Sequence, residues 1–170
     1  MTKRAYRIFT AAFIFISLSF SSTGLTSDTQ RDRESLRGLK GVFVTVERLD
    51  PEVEKDGLTA AQIRTDAESN LRRAGIKLLS KQEWFDSPGS PNLELNVFVL
   101  RLPSSPEYVY SINIALKQRA YLIREPIEVF GATTWSLGTI TGITPHLDKI
   151  RSSVEAQVDK FIPAYVSVNP

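Results

Sequence analysis

The chain has 170 residues, 42% apolar and 24% charged, the profile of a single globular domain rather than of a disordered or fibrous chain. It contains no cysteine, which excludes disulfides, thiolate metal sites, cysteine nucleophiles and anchoring through a lipidated cysteine. The formal net charge of +2 comes from 21 basic and 19 acidic residues, and the basic surplus lies at the extreme N-terminus.

That terminus has the three-part layout of a secretory leader. Lys3, Arg4 and Arg7 precede an uncharged apolar run from Ile8 to Phe20, and Ser22 and Gly24 occupy the minus-three and minus-one positions of a cleavage after Gly24. The run is shorter than the roughly 20 residues of a membrane-spanning helix. Residues 1–24 are therefore expected to be a signal peptide, leaving no membrane span after cleavage and a periplasmic or secreted product. An uncleaved anchor is the other reading of the same segment. Cleavage leaves 18 basic residues against 19 acidic ones, without the basic stripe of a nucleic-acid-binding domain, so no nucleic acid is expected as partner.

Residues 25–38 (LTSDTQRDRESLRG) are polar and patternless and are expected to be a flexible segment. A single α/β domain is expected over 39–170. GVFVTVERL, Gly41 to Leu49, alternates as a strand, and DPEVEKDG reads as a loop. Thr59 and Gln62 have capping-box spacing. Ile63, Ala67, Leu71 and Ala74 then recur at helical spacing opposite Arg64, Glu68 and Arg72, and Gly75 stands where a helix C-terminal glycine belongs. IKLLS, Ile76 to Ser80, reads as a second strand, completing a βαβ unit with a right-handed crossover.

Ser80 and Glu83 repeat the capping-box spacing and predict a turn or two of helix whose Trp84 and Phe85 close the open end of the core. The breaker SPGSPN separates it from the alternating strand Leu93 to Leu102. PSSPE is a turn, Tyr108 to Ile123 is a long strand, and after REPIE a last strand carries GATTWSLGTITG, Gly131 to Gly142; these three strands form an antiparallel meander. Thr144 as N-cap and Pro145 at the first helical position predict the closing helix, with Leu147, Ile150, Val154, Val158, Phe161 and Tyr165 as its apolar stripe and Pro163 ending or kinking it. The fold class is α+β: a two-layer sandwich of a mixed five-stranded sheet (βαβ followed by an antiparallel meander) with two main helices on one face.

One sheet face is left uncovered. Alternation puts the small residues Ala132, Thr134, Ser136 and Gly138 under the closing helix and Trp135 on the open face, unless a bulge at Gly131 or Gly138 reverses the parity. On that face Trp135, Tyr121 and Phe98, rimmed by Arg119 and Lys117, are the candidate binding residues, because aromatics with an arginine are what interface hot spots are made of. The alternative is that Trp135 is half-buried by its cross-strand neighbours and has no further role.

Catalytic signatures are lacking. His146 has no second ligand at metal-binding spacing, no serine stands in a GxSxG elbow, Asp66 and Glu68 point in different directions on a helix, and no glycine run forms a phosphate cradle. No cofactor or metal is expected, and the chain is expected not to be an enzyme.

The stretches GLTAAQIRTDAESNLRRAGIKLLS, ATTWSLG and VDKFIPAYVSVNP resemble a family of exported bacterial proteins of uncharacterised role. The topology is also similar to small periplasmic α/β modules of envelope accessory proteins, such as the N-terminal domain of the translocation protein TolB and the periplasmic domain of the curli secretion lipoprotein. That resemblance implies docking of partners. The expected function is an exported, non-enzymatic interaction or adaptor domain of the bacterial envelope whose partner is an envelope protein, met through the open sheet face or an edge strand. The alternatives are a carrier of a small apolar or lipid-like ligand between sheet and closing helix, and, third, a hydrolase.

Overall fold

The computed structural model describes residues 28–170, so the expected signal peptide, residues 1–24, lies outside the described residues. Five helices, α1 (Gln30–Glu34), α2 (Pro51–Lys55), α3 (Ala60–Arg73), α4 (Lys81–Asp86) and α5 (Leu147–Val166), accompany five strands, β1 (Phe43–Val46), β2 (Asn92–Arg101), β3 (Tyr108–Tyr121), β4 (Glu128–Ser136) and β5 (Ile140–Thr144). The fold is α+β, with a mixed sheet and its two long helices, α3 and α5, packed together over one face.

The sheet runs β1-β2-β3-β4, with β5 also pairing β3. β1 lies parallel to β2, and the rest is antiparallel. The crossover through α3 thus returns to β2. The segment expected as its second strand, Ile76–Ser80, makes only one parallel bridge, Val42 to Leu78, on the outer side of β1. Gly41 permits that approach, because a Cβ there would stand 2.5 Å from the Lys77 carbonyl oxygen. The last expected strand is divided: β3 is long enough to pair β5 along its first half and β4 along its second. Leu137 bridges the break, its N–H donating to Ile114 O and its carbonyl accepting from Asn113 Nδ2.

Alternation decides which side chains enter the core. Val42 and Val44, then Leu93, Leu95, Val97 and Val99, then Ile112, Ile114 and Leu116 meet Ile63, Ala67 and Leu71 of α3 and Ile150, Val154, Val158 and Phe161 of α5. The capping boxes read from the sequence are formed at both helices, Thr59 with Gln62 and Ser80 with Glu83. α3 ends as its sequence predicts. Gly75 has φ +79, its N–H reaches Arg72 O, and the Ile76 N–H reaches Leu71 O, the two bonds of a Schellman ending. Glu68 accepts from both Arg64 and Arg72.

Four local expectations are corrected. Residues 28–38 are not a patternless leader: Thr29 and Asp32 form a capping box on α1, and Leu36 is wholly buried. The expected loop DPEVEKDG contains α2, started by the Asp50 side chain with Pro51 in its first turn, because Val53 gains complete burial there. α5 begins at Leu147 with His146 as N-cap. Thr144 stays in β5, its hydroxyl accepting from the His146 N–H, and Pro145 precedes the helix. α5 runs past Pro163 to Val166, with Ser167 donating to the Pro163 carbonyl.

Candidate binding groove on the open sheet face

The sheet face away from α3 and α5 has a polar middle and aromatic ends. Register aligns Phe43, Asn92, Lys117 and Thr133 in one row across β1, β2, β3 and β4, and Thr45, Glu94, Ala115 and Ser136 in the next. α4 rests on the Phe43 end of these rows. Trp84 stacks on Phe43 with ring centroids 5.3 Å apart, and its indole N–H donates to Ser90 O at 2.7 Å. Trp84 and Phe85 therefore lie on the face opposite the core, correcting the expectation that they close the core's open end.

Between α4 and β4 lies a groove of about 490 Å³ lined by Trp84, Phe85, Ser90, Asn92, Glu94, Lys117, Arg119, Phe130 and Gly131. Lys117 Nζ meets Glu94 at 2.7 Å, and Arg119 Nη1 stands 3.6 Å from Glu128. The Arg119 guanidinium is held between two rings, with its Cζ 5.9 Å from the Phe85 centroid and 5.8 Å from that of Phe130, and Nη2 donates to Phe85 O at 3.0 Å. Both rings are largely exposed, Phe85 by 62% and Phe130 by 69%. Arginine over aromatic faces is an attractive arrangement that fixes both partners.

The wall on the β4 side is shaped by a bulge. Gln118 pairs with Ala132 and Ala120 with Val129, so Arg119 faces two residues, Phe130 and Gly131, and Gly131 takes φ +70. A second irregularity decides the position of Trp135. Lys117 pairs with Thr133 but Leu116 pairs with Trp135, leaving Thr134 as an extra residue. The extra residue inverts the parity, so Trp135 turns into the core under α5 instead of onto the open face. It is 1% exposed and meets Phe161 edge to face at 5.0 Å. Thr134 is held in place by Gln118 Nε2, which donates to its hydroxyl, and by Ser35, whose hydroxyl donates to its carbonyl.

The five candidate residues are thus not one patch. Lys117, Arg119 and Tyr121 follow one another along the open face of β3. Phe98 sits opposite Ser111, ten residues from Tyr121 along β3, roughly 33 Å at the rise of an extended strand. Trp135 is removed from the binding set by its burial. Sequence reading missed Phe85, Phe130 and Asn92. The signal for Phe130 was the neighbouring Gly131, whose positive φ places the ring beside Arg119.

Beyond the groove the β3–β4 hairpin projects as an arm. Tyr121, Leu122, Ile123, Ile127 and Phe130 are all exposed, Ile123 completely, while the Leu122 N–H closes the turn on Ile127 O. The space between sheet and α5, where the alternative reading put a carried apolar ligand, is filled by Trp135, Leu116, Val158 and Phe161, each 1% exposed or less. Among the described residues no cluster of His, Cys, Asp and Glu could hold a metal ion, and no helix is long and apolar enough to cross a membrane.

Fold and groove together define an α+β two-layer domain with one covered and one open sheet face, the open one carrying an aromatic, charge-balanced groove. No protein-family model matches the chain, and no curated protein matches it. Among solved structures it is similar to the dodecamer of a single-residue variant of PelC from Paraburkholderia phytofirmans, at 19% identity and a TM-score of 0.44 over 74% of this chain and 87% of that one. The PelC dodecamer in another crystal form gives 18% and 0.43 over 74% and 86%. At that identity and TM-score the likeness says nothing of this chain's function.

Proposed function

We propose that the chain is an exported, non-enzymatic adaptor of the bacterial envelope that docks another envelope protein through the β3–β4 arm. The observation that carries this reading is the concentration of Tyr121, Leu122, Ile123, Ile127 and Phe130, five exposed large apolar side chains, on one hairpin. A water-exposed Ile123 flanked by further apolar groups gains free energy only when a partner covers it, and contiguous patches of this kind mark interaction sites. Arg119 at the base of the arm supplies the polar rim. Export is supported by the basic, apolar and small-residue order of residues 1–24.

The test is site-specific photo-crosslinking in intact cells, with the photoreactive residue at position 123 and, as control, at exposed Lys160 on α5. One defined envelope protein captured from position 123 and not from 160, and lost in an Ile127→Asp background, supports the adaptor. Equal capture from both positions, or none from 123, sinks it.

A further inference from the structure

We infer that the groove at the base of the arm takes a neutral saccharide, a ligand of a different class from the protein partner of the arm, with Phe130 and Arg119 common to the two surfaces. Charge is the first consideration. Two cations, Lys117 and Arg119, each stand beside a carboxylate, Glu94 in the groove lining and Glu128 just outside it, so an ionic ligand has to compete with a pairing already made. A neutral ligand leaves both pairs in place.

Hydrogen bonding narrows the class. The Asn92 carbonyl oxygen accepts from Thr45 Oγ1 at 3.0 Å, while its amide nitrogen has no hydrogen-bond partner among the described residues, and Asn92 lines the groove opposite Lys117 in the strand register. Lys117 Nζ meets both Glu94 carboxylate oxygens, at 2.8 and 2.7 Å, which leaves the ammonium a further N–H donor and the carboxylate further lone pairs. Donors and acceptors thus alternate over a few ångströms. A hydroxyl both donates and accepts, so a polyol satisfies such a floor in either direction. An apolar ligand would bury Glu94 and Lys117 without replacing their water.

Aromatic carbon completes the match. The C–H face of a pyranose ring packs on aromatic carbon, and Phe85 and Phe130, both largely exposed, supply it on either side of the Arg119 guanidinium that lies over each ring. Gly131 lies in the groove lining, and a Cβ there would stand in open space. The volume of about 490 Å³ falls within the range of small-ligand sites.

The test is an NMR titration of the protein, purified as the exported product of its full-length gene, with maltohexaose, cellohexaose and chitohexaose. Hexagalacturonate and the chitosan hexamer serve as charged counterparts. The inference expects saturable shifts at the Asn92, Lys117 and Gly131 amides with at least one neutral hexasaccharide, at an affinity that does not change with salt. Phe85→Ala and Phe130→Ala should each weaken that affinity about tenfold. Gly131→Asn, which keeps a residue tolerant of positive φ, should abolish binding by filling the rim, and it decides the matter if a phenylalanine variant fails to fold. Ile123→Asp on the arm should leave saccharide affinity unchanged. No saturable shift with any neutral hexasaccharide overturns the inference and leaves the adaptor reading standing. Stronger, salt-sensitive binding of a charged oligosaccharide, or neutral binding indifferent to both phenylalanine changes and to Gly131→Asn, overturns it equally.

Discussion

Asp28 is the residue on which the N-terminal segment turns. Its carboxylate accepts two bonds from Arg33, at 2.9 and 2.6 Å, and a third from the Trp135 indole N–H at 3.0 Å. The Arg33 bond, aided by that indole and opposed by burial, holds the Asp28 carboxyl below its ordinary range. A carboxyl whose folded pKa is depressed contributes stability above its unfolded value, here near 3.8, and loses it as pH falls through the lower folded value. Asp28→Asn should therefore cost about 1 to 2 kcal/mol at neutral pH, with part of the ion pair screened by solvent. That difference should shrink below pH 3.8, as read by urea unfolding across the acid range. Glu83 gives a second residue-scale outcome. The Lys77 ammonium, then the Ser80 backbone and hydroxyl, hold it at about 2, and Lys77→Ala should move its NMR titration midpoint upward.

Among the elements, those with purely local signals were legible in the sequence. Thr59 with Gln62, Ser80 with Glu83 and Gly75 act within one turn of chain, and each does in the structure what its spacing foretells. Thr59→Ala should cost about 1 kcal/mol in thermal or urea unfolding. Elements that exist because of distant contacts were not legible. α2 has one buried side chain, Val53, and α1 has none, the buried Leu36 lying just beyond its end, too little apolar pattern for any periodicity to register. The position of Trp135 was lost to the same cause. Nothing local in TTWS announces an extra residue at Thr134, and the bulge is held there by Gln118 and Ser35 from elsewhere in the chain. Of the groove, Lys117, Arg119 and Glu94 follow from alternation along β2 and β3, whereas Phe85 and Phe130 are brought together only by the tertiary fold. Gly41 marks the outer edge of the sheet, where any side chain would meet the Lys77 carbonyl. Gly41→Ala should cost about 2 kcal/mol or more and release the Val42–Leu78 bridge, a loss visible as faster exchange of the Leu79 amide.

At the scale of the whole molecule the covered sheet face is sealed and the open one is furnished. Stability resides in the first, where β2, β3, α3 and α5 share one core, and the proposed recognition sites lie off it. The two ends of the described chain also meet across that core. Asn169 Nδ2 donates to Leu36 O at 2.8 Å and Tyr165 O at 3.0 Å, and its Oδ1 accepts the Gly38 N–H at 2.7 Å. Asn169→Ala would remove these three bonds, while the Leu36 and Tyr165 carbonyls keep the Leu39 and Val168 N–H groups and the Gly38 N–H turns to water, and should cost about 1 kcal/mol in urea unfolding, without altering crosslinking from the arm. This clasp imposes an order in time. Residues 28–38 are the first of the described chain to be synthesised, and the long-range hydrogen bonds that tie them down, from Gln118, Thr134, Trp135 and finally Asn169, come 83 or more residues later. Docking of this segment therefore waits on chain made much later, and a version truncated before Asn169 should expose residues 28–38 to faster limited proteolysis than the full chain.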